Sequence, residues 1–179
     1  MRGFGNKLVG VSRYAEVSIW AESFGYGVLC FLLPFVLSHS HQQLLVGTIV
    51  NTAVIMCAVR LEWKHALPVI LMPSLGVLAA GALFGNLTPF LLFLVPFIWV
   101  GNALLAFCFK HFSKKSYWFR ALLGAGVKAV FLGAAALTLV FLSLVPTALL
   151  LPMSAVQFAT ALSGSVAAFI ALKVFDLFK

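Results

Sequence analysis

The chain has 179 residues, of which 63% are hydrophobic and 9% charged, with a mean hydropathy of +1.12. Soluble domains carry roughly a quarter charged residues, so a mostly wetted surface is excluded and an integral membrane protein is implied. The net charge of +8 does not point to nucleic acid, because the basic residues sit between apolar runs and not beside a polar, foldable segment.

A helix needs about 20 residues to cross roughly 30 Å of hydrocarbon. Six stretches qualify: Val17–Leu37, Gln42–Val59, Leu67–Phe84, Pro89–Phe109, Ala121–Val145 and Met153–Phe175. The first follows Arg2, Lys7 and Arg13, so a cleaved signal peptide is the competing reading. Its length, the presence of Glu22 and the lack of an A-x-A end favour a retained span. Residues 1–16 are then a cytoplasmic N-terminal segment, and 17–175 a single six-helix transmembrane domain. Short connections make consecutive helices antiparallel, and no linker, repeat or second domain is visible.

Charge supports this count. Arg2, Lys7 and Arg13 precede the first span, Arg60 and Lys64 lie in the second loop, and Lys110, Lys114, Lys115 and Arg120 flank the fourth. Lys173 and Lys179 end the chain, while "SHSH", "GNLT" and "PTALLLP" carry no lysine or arginine. Eleven of the twelve basic residues thus share one side, which by the positive-inside rule puts both termini in the cytoplasm of a multi-pass cell-membrane protein.

Within lipid, small residues mark close helix approaches. Such seams occur at Ala21-x-x-x-Gly25, Gly76-x-x-x-Ala80, Gly81-x-x-x-Gly85, along Ala125, Ala129 and Gly133, and along Thr160, Gly164 and Ala168. The seam on the first helix can also dock an external partner. Pro34, Pro73 and Pro96 fall inside spans, where each removes a backbone donor and frees a carbonyl that needs another partner or a cavity.

Polar residues three and four apart share a helix face. This aligns Gln43, Gly47 and Asn51 on the second span, and Met153, Gln157, Thr160 and Gly164 on the sixth. Asn102 lies deeper on the fourth. Each amide alone reads as an interhelical hydrogen bond, but together they describe a polar pocket open to the outside. His39 and His41 form an H-x-H pair without nearby companions and read as solvated loop residues rather than metal ligands. Cys30, Cys57 and Cys108 lack C-x-x-C spacing and read as small buried hydrophobes.

Lys128 is the one charge in "LLGAGVKAVFLGAAAL", roughly 10 Å from the inner edge of its span at helical rise. Glu22 lies at nearly the same depth on the first span. A Glu22–Lys128 ion pair is the leading expectation, with snorkelling toward the cytoplasm and contact with an anionic ligand as the alternatives.

No enzymatic constellation is present. "LSGSVAAF" offers Ser163 and Ser165 but no span contains a histidine, H-E-x-x-H is absent, and there is neither a P-loop nor G-x-G-x-x-G. Hydrolase and ATPase activities are not expected, and no cofactor is called for.

"NTAVIMCAVRL", "LPVILMPSLGVLAAGALFG", "LTPFLLFLVPFIWVGNALLAF" and "MSAVQFATALSGSVAAF" resemble the membrane-embedded substrate-binding S components of energy-coupling factor (ECF) transporters, in the branch of unassigned substrate. The most specific part is "VPFIWVGNALL" at 95–105. The resemblance spans the second to sixth helices and implies a six-helix bundle with cytoplasmic termini. It further implies capture of a vitamin- or micronutrient-sized molecule near the outer face, driven by a separate coupling protein and two ATPases. Docking to that module would use small residues on the first helix, which Ala21 and Gly25 match loosely, with Glu22 and Ser23 as departures. Asn51, Asn102, Lys128 and Gln157 would fall in or near the central cavity. The expected function is therefore substrate capture, with Gln43, Asn51, Gln157 and Thr160 orienting the ligand. The alternative is a small membrane scaffold or assembly protein without ligand.

Overall fold

The computed structural model describes residues 3–37 and 42–177. Seven α-helices follow one another: α1 (Gly3–Leu37), α2 (Gln43–Arg60), α3 (Leu67–Ala80), α4 (Leu91–His111), α5 (Tyr117–Phe141), α6 (Leu150–Met153) and α7 (Ala155–Leu177). Short 3-10 turns at Trp63–Ala66, Gly85–Phe90 and Thr147–Leu149 join them, and there is no strand among the described residues. Six of the resulting segments are long and apolar enough to cross a bilayer. That makes the chain compatible with a multi-pass membrane protein. Leu32, Val36, Val130, Phe141 and Leu151 are all exposed on the bundle's outer surface, where lipid tails can meet them without loss.

The helix ends show local chemistry that shifts several expected boundaries. α3 stops at Ala80 because Gly81 turns left-handed, with φ of 71°. Gly81 and Gly85 therefore lie in a connection and form no packing seam. α5 begins at Tyr117, where the Ser116 side chain accepts a hydrogen bond from the Phe119 amide and caps the helix. It ends at Phe141, short of Val145. The sixth span is interrupted between α6 and α7 at Ser154, whose backbone leaves the helical region. α1 is continuous from Gly3, so helix extends into the segment before the first span.

Chain neighbours are not always the closest packing partners. α1 packs chiefly on α3, α2 on α7, and α4 on α5, with α5–α7 and α2–α4 completing the bundle. Two of these contacts require glycine. A β-carbon on Gly76 would lie 2.2 Å from the Phe31 carbonyl oxygen, so α3 touches the backbone of α1 there. One on Gly164 would lie 2.7 Å from Asn51 Cβ and 2.9 Å from the Thr48 oxygen. The Thr52 hydroxyl also reaches the Gly164 carbonyl at 3.3 Å. Loss of the side chain at Gly164 is what sets Asn51 against α7.

Polar links tie the bundle at the end where basic residues gather. Arg60 Nε pairs with Glu22 Oε1 at 3.0 Å, and Lys64 Nζ reaches Glu16 Oε1 at 3.3 Å. Lys110 donates to the Leu61 carbonyl, and the buried Ser23 hydroxyl donates to the His65 carbonyl.

Candidate functional site

Asn51 on α2, Asn102 on α4, Lys128 on α5 and Thr160 on α7 are each no more than 2% exposed. Lys128 Nζ donates to Asn51 Oδ1 at 2.6 Å and to Asn102 Oδ1 at 2.8 Å. A lysine ammonium can only donate, so both asparagines must turn their oxygens toward it and their nitrogens away. The nitrogens find acceptors accordingly. Asn51 Nδ2 donates to Thr160 Oγ1 at 3.2 Å, and Asn102 Nδ2 donates to the Ile70 carbonyl at 3.1 Å. The Thr160 hydroxyl in turn donates to the Gln157 carbonyl at 3.2 Å. One buried lysine thereby ties α2, α4, α5 and α7 together, and α3 through Ile70.

α3 contributes through backbone carbonyls in the turn before Pro73. The carbonyls of Ile70 and Leu71 there accept from side chains. Besides Asn102 at Ile70, the Ser74 hydroxyl donates to the Leu71 oxygen at 3.0 Å. Trp99 Nε1 on α4 donates to Ser74 Oγ at 2.7 Å and to the Leu71 oxygen at 3.3 Å.

Beside the lysine network lies a cavity of about 80 Å³. Gln43, Asn51, Asn102, Lys128, Gln157 and Thr160 all line it, between apolar walls that include Val50, Val77, Val95 and Ile98. Leu83 and Phe84, from the connection after α3, and Met153 beside the Ser154 break also line it. The volume exceeds the roughly 10–15 Å³ that houses one water, but it falls well short of the roughly 300 Å³ and more of ordinary small-molecule pockets. In this conformation the chamber has room for several waters or a very small ligand. Gln43 Nε2 is buried without a hydrogen-bond partner among the described residues. The Gln157 side chain, half-buried at the same cavity, also makes no hydrogen bond among them.

The residues singled out from sequence fall into two groups, those at the cavity and, away from it, Ala21, Glu22 and Gly25 on α1. Gln43, Asn51, Asn102, Lys128, Gln157 and Thr160 meet at one cavity. Ser74 also lines the cavity and Trp99 hydrogen-bonds to Ser74; the polar-stripe reading missed both.

The expected Glu22–Lys128 ion pair is not formed. Glu22 pairs with Arg60, and Lys128 is held by two neutral amides. Among the described residues no carboxylate pairs with Lys128. The reason is position around the bundle: α1 lies against α3, whereas α5 lies against α4 and α7. Ala21 and Gly25 face outward on α1, with nothing within 4 Å of a β-carbon placed on Gly25. Glu22 and Ser23 turn away from that face, toward Arg60 and the His65 carbonyl. His39 and His41 lie outside the described residues. Among those described, no three His, Cys, Asp or Glu side chains gather as a metal site would require.

No family model matches this chain, and no curated protein or solved structure matches it either.

Proposed function

We propose that the protein is a membrane-embedded substrate-capture subunit of an ECF-type importer, holding a small molecule in the cavity between α2, α4, α5 and α7. The observation that carries this reading is the convergence of seven polar side chains from five helices on one chamber. One of them, Gln43, leaves its buried Nε2 without a partner among the described residues, and the half-buried Gln157 side chain beside it makes no hydrogen bond among them. A bundle built only for packing gains nothing from a buried amide nitrogen left unsatisfied.

The distribution of basic residues puts both termini and the 112–116 connection in the cytoplasm. Gln43, Leu83, Phe84 and Met153 then mark the outer end of the chamber. A vitamin-sized ligand needs more room than this conformation gives, so admission requires the 81–90 connection or the α6–α7 break to shift outward. The exposed Ala21–Gly25 face of α1 is the docking surface for a transmembrane coupling protein, which two ATPases would power. The chain itself supplies no chemistry.

The hydrogen bonds by which Lys128, Asn51 and Asn102 tie the helices together favour a second reading, a ligand-free six-helix scaffold. Native mass spectrometry of the purified protein separates the two. A retained small-molecule adduct that disappears in Gln157→Leu supports capture. An adduct-free spectrum, together with no co-purifying ATPase subunits, supports the scaffold.

A further inference from the structure

Lys128 has an unusual set of partners for a charge buried in a bundle. A lysine ammonium carries three N–H donors, and here two are taken by the neutral oxygens of Asn51 and Asn102. The third has no acceptor among the described residues, and the side chain lines the cavity. Buried cations are normally matched by an anion, because an unpaired charge in low dielectric is destabilising. Each described acidic side chain is engaged with a cation elsewhere: Glu22 with Arg60, and Glu16 and Glu62 with Lys64.

The other polar groups at the chamber sort in the same direction. The amide nitrogens of Asn51 and Asn102 are committed to Thr160 and Ile70. The free donors at the chamber are therefore the remaining Lys128 N–H, the unpartnered Gln43 Nε2 and the Gln157 side-chain amide, and of these only Lys128 carries charge. Eight residues separate Gln43 from Asn51 on α2, about 12 Å at helical rise, and the stretch between is walled by Val46 and Val50. One anionic group at the inner end and an apolar body along the wall would use each feature.

We infer that the chamber's ligand is a small organic anion, its carboxylate-like group accepting the third N–H of Lys128. The inference rests on the capture reading and names the ligand class of the same site. Asn51 and Asn102 act as positioning residues that hold the ammonium in place. The anion supplies the missing counter-charge, and its apolar body lies against Val50, Val77, Val95 and Ile98.

The test is a set of matched probes on the purified full chain in detergent: acetate against acetamide, butyrate against butyramide, and benzoate against benzamide. Apparent Kd values come from thermal-shift titration at constant chloride. A hydrogen bond to a charged group outweighs its neutral counterpart enough to give the carboxylate of at least one pair about tenfold tighter binding or more. Lys128→Met should remove that preference. If this variant does not purify as a monodisperse protein, Lys128→Gln replaces it, and the wild-type comparison alone still shows whether charge is read. Equal binding of acid and amide, or a carboxylate preference that survives loss of Lys128, overturns the inference. Amides that bind and are lost in Gln157→Leu leave the capture reading standing while the charge assignment fails. If no probe of either kind binds, the charge assignment fails and no capture of molecules this size is seen.

Discussion

The Lys128 network can be tested by a thermodynamic cycle in which the single mutants are less informative than their coupling. Lys128→Met strands Asn51 Oδ1 and Asn102 Oδ1, which accept from Nζ at 2.6 and 2.8 Å, at about 1–3 kcal/mol for each unsatisfied buried group. The same substitution removes a buried charge whose desolvation cost is itself several kcal/mol, so the net change is the difference of two large terms. The cycle cancels the second term. Combining Lys128→Met with Asn102→Leu removes both ends of one charge-assisted hydrogen bond, and the coupling energy should be about 1.5–3 kcal/mol. Combining Lys128→Met with Glu22→Gln should be additive to within about 0.5 kcal/mol, because those groups belong to separate networks. The assay is reversible unfolding in mixed detergent and SDS micelles, followed by tryptophan fluorescence. Coupling above about 1 kcal/mol between Glu22 and Lys128, with additivity between Asn102 and Lys128, would refute the geometry described above.

Three further outcomes follow from the same contacts. Gly164→Val forces a side chain into Asn51 and the Thr48 carbonyl, and overpacking of this kind costs about 1–3 kcal/mol; it should lower the unfolding midpoint and displace Asn51 from Lys128. Trp99→Phe deletes the 2.7 Å hydrogen bond to Ser74 and should cost about 0.5–1.5 kcal/mol in the same assay. Gly25→Leu places its side chain in open space, so stability should stay within about 0.5 kcal/mol of wild type. On the docking proposal it should nevertheless abolish co-purification of the coupling protein, and retained co-purification would count against the α1 surface.

Much of the architecture was legible in the sequence because it depends on one-dimensional quantities. Apolar run length fixed the number of spans, and helical spacing put Gln43 and Asn51 on one face and Gln157 and Thr160 on another. The partner of Lys128 was not legible. Depth along a helix can be counted from residue number, but the order of helices around a bundle cannot, and Glu22 was matched by depth alone. The α1–α3 and α2–α7 pairings depend on side-chain-free approaches at Gly76 and Gly164, which look like any other glycines in a row of small residues. The limits of α3 and of the sixth span escaped for a related reason. Apolar composition continues through Gly81 and Ser154 while the backbone dihedrals do not. Ser74 and Trp99 were hidden because they pair with each other and with the Leu71 carbonyl, and no side-chain motif records a backbone partner.

The central claim, a chamber reached from the outer face of a six-span bundle, is tested most directly by thiol labelling in intact cells. Cys30, Cys57 and Cys108 are buried and would be replaced by alanine, leaving single cysteines at Gln157→Cys or Lys114→Cys. A membrane-impermeant maleimide should label the first in intact cells and the second only after the membrane is opened. Labelling of Lys114→Cys from outside, or a Gln157→Cys that stays unreactive on both sides, would contradict it.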